Sequence, residues 1–406
     1  MREPNCTRIV PAKNLWEIAI EFLEQIDDKL MEFNLKYAFI TYKLCKIEKV
    51  PNKDIKKLVF LSCFNDVGKL YARDNATTTE IETYLFLKYF SPLKGNASLI
   101  LFETKKNKYN YTGDTSKLYL ARSFTKYLLQ YNSKELALNA VMVEKDKYAY
   151  QDLIALNKLV LKIDLFYELN SMHYKTIVYK YISKMIFSNR ERNKFFTMLS
   201  SLFEMYSLQT LYHSKVTAIV AYKISKKMKL KNTRCKKIYV AALAHDLGKV
   251  KIPLKILEKP DKLTDREYST MKKHVTYTKD LLRNKMDYDI IEIAYRHHER
   301  LDGSGYPNKY SKTDLTLDQQ ILQVSDVISA LIAKRSYKDA WSIDKTIEVL
   351  DASVEKNQFS KEIVGCFKKN QSKILKAANK IIVQADKIYD RINKERLSLT
   401  SMINQE

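Results

Sequence analysis

The chain has 406 residues, 46% of them apolar, and 71 Lys and Arg against 47 Asp and Glu give it a net charge of +24. Length and apolar content together predict two globular domains. Seven glycines and seven prolines are too few for a fold of strands and tight turns and predict an almost wholly helical, all-α protein. Cys6, Cys45, Cys63, Cys235 and Cys366 are scattered without paired spacing; they read as reduced thiols and exclude a disulfide scaffold.

The positive excess is mostly lysine, spread end to end, so it reads as solvated helix faces rather than a surface for polymeric nucleic acid. It still favours the approach of a small anion. No stretch has the uncharged apolar length of a membrane span, and Met1-Arg2-Glu3-Pro4-Asn5 carries no apolar signal core. A cytoplasmic protein is expected.

Taken in chain order, residues 1–150 are read as a first helical domain, in which an apolar run ends at Asn65-Asp66-Val67-Gly68-Lys69. Residues 151–200 are read as connecting helices, because Leu153, Leu156, Leu159, Val160 and Ile163 recur at helical spacing. That stripe suits core packing or the seam of a homodimer, and no sustained heptad selects a coiled coil. Residues 201–406 form the second domain, with Ile374 to Val383 in one further helix that closes it.

Five of the six histidines fall between residues 213 and 298, interleaved with Asp246, Asp302 and Asp326. His245-Asp246 leaves the end of an apolar helix running from Ile238 to Ala244. A carboxylate can bridge two cations while an imidazole serves one, so the doublet suits a dinuclear centre. Lys249 follows three residues after Asp246, on the same helical face; it could hold a phosphate oxygen or protonate a leaving alkoxide. His213, His274 and the pair His297-His298 bring nitrogen donors from three other segments. Asp326 interrupts an otherwise apolar helix, where a buried carboxylate requires a partner. His173 lies outside this pattern and reads as an ordinary helix residue.

Residues 213–366 resemble an HD-GYP domain, the cyclic di-GMP phosphodiesterase branch of the HD metal-dependent phosphohydrolase superfamily. The resemblance is carried by His245-Asp246-Leu247-Gly248-Lys249 and by His297-His298-Glu299-Arg300-Leu301-Asp302-Gly303-Ser304-Gly305-Tyr306-Pro307, with Lys251-Ile252-Pro253, His274, Asp326, Arg335-Ser336-Tyr337-Lys338 and Phe359 around them. It implies an HD-superfamily helical bundle with metal ligands at His213, His245, Asp246, His274, His297, His298 and Asp326, Asp246 bridging. Two divalent ions, iron or manganese, are the implied cofactors. The implied reaction is hydrolysis of cyclic di-GMP to linear pGpG in bacterial second-messenger signalling, with continuation to GMP as a further course. Asp246 and Lys249 would act in catalysis, and Lys249, Gly305, Tyr306, Arg335 and Lys338 would bind substrate.

The pattern departs from the family at Gln209, where some members carry a glutamate that supports a third metal; two metals are therefore expected. Leu301, Ser329 and Ser336 also replace residues common in the family. Two alternatives stay open: a weakly catalytic cyclic-dinucleotide receptor or scaffold, and an HD phosphohydrolase acting on another nucleotide.

The same motif illuminates the first domain. Tyr42 through Lys69 can be laid without gaps on Tyr222 through Lys249, which aligns Asp66-Val67-Gly68-Lys69 with Asp246-Leu247-Gly248-Lys249. Residues 1–150 are thus read as a degenerate, non-catalytic HD-like repeat, with Asn65 for the histidine of the doublet, Phe33 for the first ligand and Phe90 for the third.

Overall fold

The computed structural model describes residues 4, 9–70, 79–101, 111–162, 164–185, 187–206, 212–332 and 342–404. Among them no strand occurs apart from a single bridge between Asp302 and Ser311, so the protein is all-α. In chain order the helices are α1 (Ala12–Ile26), α2 (Asp28–Ile47), α3 (Asn52–Cys63), α4 (Thr79–Phe90), α5 (Gly113–Tyr131), α6 (Lys134–Val143), α7 (Tyr150–Val160), α8 (Asp164–Asn170), α9 (His173–Ser183) and α10 (Asn189–Tyr206). There follow α11 (His213–Lys227), α12 (Asn232–Ala244), α13 (Leu254–Leu257), α14 (Asp265–Lys272), α15 (His274–Leu282), α16 (Tyr288–Tyr295), α17 (Leu317–Ile332), α18 (Ile343–Glu355) and α19 (Lys361–Asn404). No described helix is long and apolar enough to cross a membrane.

The chain divides into two compact units, one of residues 1–25 and 188–390, the other of residues 26–187 and 391–406. This differs from boundaries at 150 and 200, because residues 1–25 fold back onto the later unit. There Trp16 packs edge-on against Phe195 at 5.0 Å, Asn14 donates to the Lys285 carbonyl at 2.6 Å, and Glu21 pairs with Lys285 at 2.6 Å. The helices over residues 151–187 belong to the earlier unit rather than forming a connector.

The later unit is organised around the α11–α12 hairpin. Ile238 through Ala244 are all buried, and three alanines among them let α12 lie close to its neighbours. Lys229 takes φ 60° after α11, and Leu230 N donates to Ser225 O at 3.1 Å, the helix-ending geometry that turns the chain sharply into α12. α17 packs along α11 and α16 along α12, so the helix ends converge.

Past α12 the chain tightens into a 3-10 turn, Leu247–Lys251. A Cβ on Gly248 would lie 2.2 Å from His274 O and 2.3 Å from Thr278 N, so only glycine lets the first turn of α15 sit against this turn. Gly248 N donates to Thr278 Oγ1 at 2.8 Å, and Thr278 Oγ1 donates to His245 O at 2.9 Å. One threonine thereby ties α15 to the end of α12.

The earlier unit repeats this construction. α2 and α3 form a hairpin with Lys49 at φ 56° and Val50 N donating to Cys45 O at 2.9 Å. After α3 comes the 3-10 turn Val67–Leu70, in which Gly68 N donates to Thr83 Oγ1 at 2.9 Å. A Cβ on Gly68 would meet Thr79 O at 2.5 Å and Thr83 N at 2.7 Å. Thr79, at the start of α4, therefore takes the place that His274 holds at the start of α15. Phe90 ends α4 and does not replace the third ligand, as the sequence comparison had it.

Because the space at Gly248 is closed by backbone atoms, Gly248→Ala is expected to lower stability by about 1–3 kcal/mol or more, as overpacking does. Gly68→Ala should show a similar loss. Thermal or urea denaturation of the two variants measures this, and unchanged midpoints would contradict the close approach.

Candidate metal centre

His245 caps the C-terminus of α12, Asp246 is the next residue, His274 opens α15, and His297 follows the end of α16. His213 opens α11 and Asp326 lies within α17. The structure brings these six residues to one buried locus, together with His298. His245 and His297 are fully inaccessible, Asp246 is 2% exposed and Asp326 8%.

The histidines are held by a common device. Nδ1 of His245, His274 and His297 lies 2.7, 2.7 and 2.6 Å from the carbonyl oxygens of Ala242, Met271 and Ala294, each three residues earlier on a closing helical turn. An N–H at Nδ1 donating there leaves Nε2 as the free lone pair directed inward. His213 is held differently: its Nδ1 meets Ser329 Oγ at 3.1 Å, and Ser329 Oγ also meets Thr217 Oγ1 at 2.5 Å.

The two oxygens of Asp246 face different imidazoles. Oδ2 lies 3.3 Å from His245 Nε2 and 3.9 Å from His213 Nε2, while Oδ1 lies 3.4 Å from His274 Nε2 and 3.8 Å from His297 Nε2. Asp326 Oδ1 stands 3.0 Å from His213 Nε2 and 3.5 Å from His245 Nε2. Three overlapping groups could each hold a cation: His213 with His245 and Asp246, His245 with His297 and Asp326, and His274 with His297 and His298. Two of the atoms concerned, His245 Nε2 and Asp246 Oδ1, are buried with no hydrogen-bond partner among the described residues. Such orphaned atoms cost free energy unless something pairs with them, and a donor set of nitrogen and oxygen without thiolate suits hard to borderline divalent metals.

The electrostatics agree. Burial disfavours an imidazolium at His245, yet the Asp246 and Asp326 carboxylates outweigh it and push the ring up to about 10. The site thus draws a proton to one imidazole, where a metal would supply far more charge. Burial holds His274 down to about 4, and His297 and His298 well below the usual histidine range, so these rings are neutral and ready to ligate. Burial works against the charge on Asp246, but His245 and Lys249 hold its carboxyl well below the usual range; Lys249 Nζ sits 2.6 Å from Asp246 Oδ2. Lys249 reaches Asp246 from the 3-10 turn rather than from a continuing α-helix.

The loop after His297-His298 is clamped by a residue that the sequence did not single out for a role. Glu299 is fully buried, and its carboxylate accepts from Asn308 N at 2.7 Å and Tyr310 N at 3.1 Å. A Cβ on Gly305 would lie 2.4 Å from Glu299 Cα, so the loop folds tightly back onto this residue. The Tyr306 ring lies 4.7 Å from His298, over the edge of the locus. Arg300 stacks on Phe359 at 5.0 Å. Arg335, Lys338, Ser336 and Gln209 lie outside the described residues. His173 is exposed at the start of α9, in the earlier unit.

With this geometry in hand, residues 191–363 match the protein family described as HD domain, and the chain carries an HD domain. It is 38% identical over 157 residues to a 3′3′-cGAMP-specific phosphodiesterase 2 of Vibrio cholerae, covering 38% of this chain and 30% of that protein. It is 39% identical over 136 residues to the cyclic di-GMP phosphodiesterase response regulator RpfG of Xanthomonas campestris, covering 33% of this chain and 36% of that protein. The chain thus spans about a third of the length of these relatives. A crystal structure of a cyclic GMP-AMP specific phosphodiesterase of V. cholerae shares the fold over 89% of this chain and 98% of that one, with a TM-score of 0.54 and 15% identity.

Ser329 Oγ on α17 holds the Nδ1 side of His213, so Ser329→Ala is expected to weaken retention of a bound divalent metal about 10- to 100-fold while leaving the melting temperature of the metal-free protein nearly unchanged. Metal titration with an indicator dye measures this, and unaltered affinity would show that Ser329 does not orient the imidazole.

Proposed function

We propose that the HD domain is a metal-dependent phosphodiesterase that hydrolyses cyclic di-GMP to linear pGpG. The observation that carries this reading is the division of the Asp246 carboxylate between two sets of imidazoles, one oxygen toward His213 and His245 and the other toward His274 and His297. That arrangement suits a carboxylate bridging two divalent ions, with Asp326 and His298 completing the ligands. When bound, iron or manganese at these positions would supply an activated water and neutralise the phosphodiester charge. The relatives named for cyclic di-GMP and for 3′3′-cGAMP hydrolysis support a cyclic dinucleotide as substrate.

The chain's own residues then do the rest. Lys249, which pairs with Asp246, would hold a non-bridging oxygen or protonate the departing 3′ oxygen. Tyr306, fixed over His298 by the Glu299-clamped loop, offers its ring to a guanine, and Arg335 with Lys338 would grip the second phosphate. The relatives named for a cyclic GMP-AMP dinucleotide favour a second reading in which that molecule is the substrate of the same centre. A cytoplasmic setting, where either dinucleotide would be met, accords with this function.

We also propose that residues 26–187 descend from an HD-like repeat without metal chemistry, on the strength of the matched hairpin turns and the matched Gly68 and Gly248 packing. Asn65→Ala is expected to leave hydrolysis unchanged.

Hydrolysis of cyclic di-GMP, 3′3′-cGAMP, guanosine tetraphosphate and deoxynucleoside triphosphates, followed by chromatography in the presence of manganese, tests the assignment. Asp246→Ala should lose both metal and turnover, and Lys249→Ala should keep metal and lose at least tenfold in rate. Preference for a linear nucleotide would overturn it, and tight binding of cyclic di-GMP without product would make the protein a receptor.

A further inference from the structure

Tyr306 has two neighbours on α14, the helix that precedes His274. Tyr268 and Lys272 are one turn apart and share a face of that helix. The Tyr268 ring meets Tyr306 at 6.3 Å with the planes at 82°, and Lys272 Nζ stands 4.9 Å from the Tyr268 ring centre and 6.0 Å from that of Tyr306. Tyr306 in turn lies 4.7 Å from His298 and 6.5 Å from His274. It therefore stands between these two histidines and the Tyr268–Lys272 pair, of which Tyr268 is 46% exposed.

The pair is held by a well-anchored helix. Thr264 and Glu267 form a capping box at the start of α14, and Lys259 holds Glu267 at 2.7 Å. Met271 and Leu263 pack against the buried Ile252, Ile256 and Leu257, and the Met271 carbonyl lies 2.7 Å from His274 Nδ1. Lys272 is thus fixed on an element that also orients His274, and such placement is more precise than a loop provides.

The surrounding lysines are committed elsewhere: Lys249 pairs with Asp246, Lys259 with Glu267 and Lys279 with Glu292. Lys272 meets no carboxylate or hydrogen-bond acceptor among the described residues; its ammonium rests on the two tyrosine rings. An ammonium has three donors and no acceptor, so it suits a partner with acceptors side by side. Guanine offers O6 and N7 along one edge, whereas adenine sets an N6 amino donor beside N7.

We infer that Lys272 is a specificity-determining residue that selects guanine at the base position beside Tyr306, its Nζ donating to O6 and N7 while Tyr268 walls the base in. The inference rests on the phosphodiesterase reading and deepens it. A guanine fixed beside Tyr306 decides which phosphate comes to the Asp246 locus. Water then adds to that phosphorus, and the bond to the 3′ oxygen breaks with a proton passing to that oxygen. 3′3′-cGAMP has one guanine and two unlike phosphodiester bonds, so it is opened mainly at one of them.

The test measures kcat and KM with manganese for cyclic di-GMP, 3′3′-cGAMP and cyclic di-AMP in the wild-type protein, Lys272→Met and Lys272→Arg, and separates pGpA from pApG by chromatography. Lys272→Met is expected to raise KM for cyclic di-GMP at least about tenfold with kcat and metal content nearly unchanged, and to leave the poor use of cyclic di-AMP little altered. It should yield both linear products from 3′3′-cGAMP where the wild-type protein yields mainly one, and Lys272→Arg should keep the guanine preference. Equal loss on all three substrates, an unchanged KM for cyclic di-GMP, an unchanged product ratio or loss of metal in Lys272→Met would overturn the inference while leaving the phosphodiesterase reading intact. A wild-type protein inert toward all three substrates would overturn that reading and the inference with it.

Discussion

A carboxylate buried to 2% exposure among four imidazoles and one ammonium is the interaction on which the HD domain depends. An isolated buried charge is costly, and breaking one side of a buried pair commonly costs about 3–5 kcal/mol. Asp246 is affordable because α11, α12, α15, α16 and their connections end in a ring around it. Each contributes a nitrogen whose far side is already tied to backbone carbonyl or serine hydroxyl. The imidazoles are thereby oriented by the protein's own hydrogen bonds, as a preorganised site requires.

The close approaches serve the same end. Gly248 allows α15 to touch the turn after Asp246, and Thr278 links that turn to the His245 carbonyl. Glu299 does for the loop that carries Tyr306 what Thr278 does for the end of α12, using its buried carboxylate to hold two backbone N–H groups of that loop. None of these residues would touch the reaction directly, yet each sets where a reacting group can sit.

Much of this was legible in the sequence, for identifiable reasons. The apolar run from Ile238 to Ala244 followed by His-Asp, the crowding of histidines after residue 213, and the carboxylate within an apolar helix at Asp326 are local patterns, and the structure brings them together. Ser329 follows Asp326 by one helical turn and Thr278 follows His274 by one, so spacing alone could have nominated both. The return of residues 1–25 to the later unit was not legible, because it rests on Trp16 meeting Phe195 and on Glu21 meeting Lys285, contacts between distant segments. The assignment of Phe90 failed because the connection between Gly68 and α4 is much shorter than that between Gly248 and α15. Only the backbone packing at the two glycines reveals Thr79 as the counterpart of His274.

The most direct measurement is the metal content of the anaerobically purified protein, followed by stripping and stepwise reloading while cyclic di-GMP turnover is recorded. About two divalent ions per chain, with turnover absent in the stripped protein and restored only as the second ion binds, is the result expected of a carboxylate-bridged pair at Asp246. Full turnover in the stripped protein, or full restoration by a single ion, would contradict it.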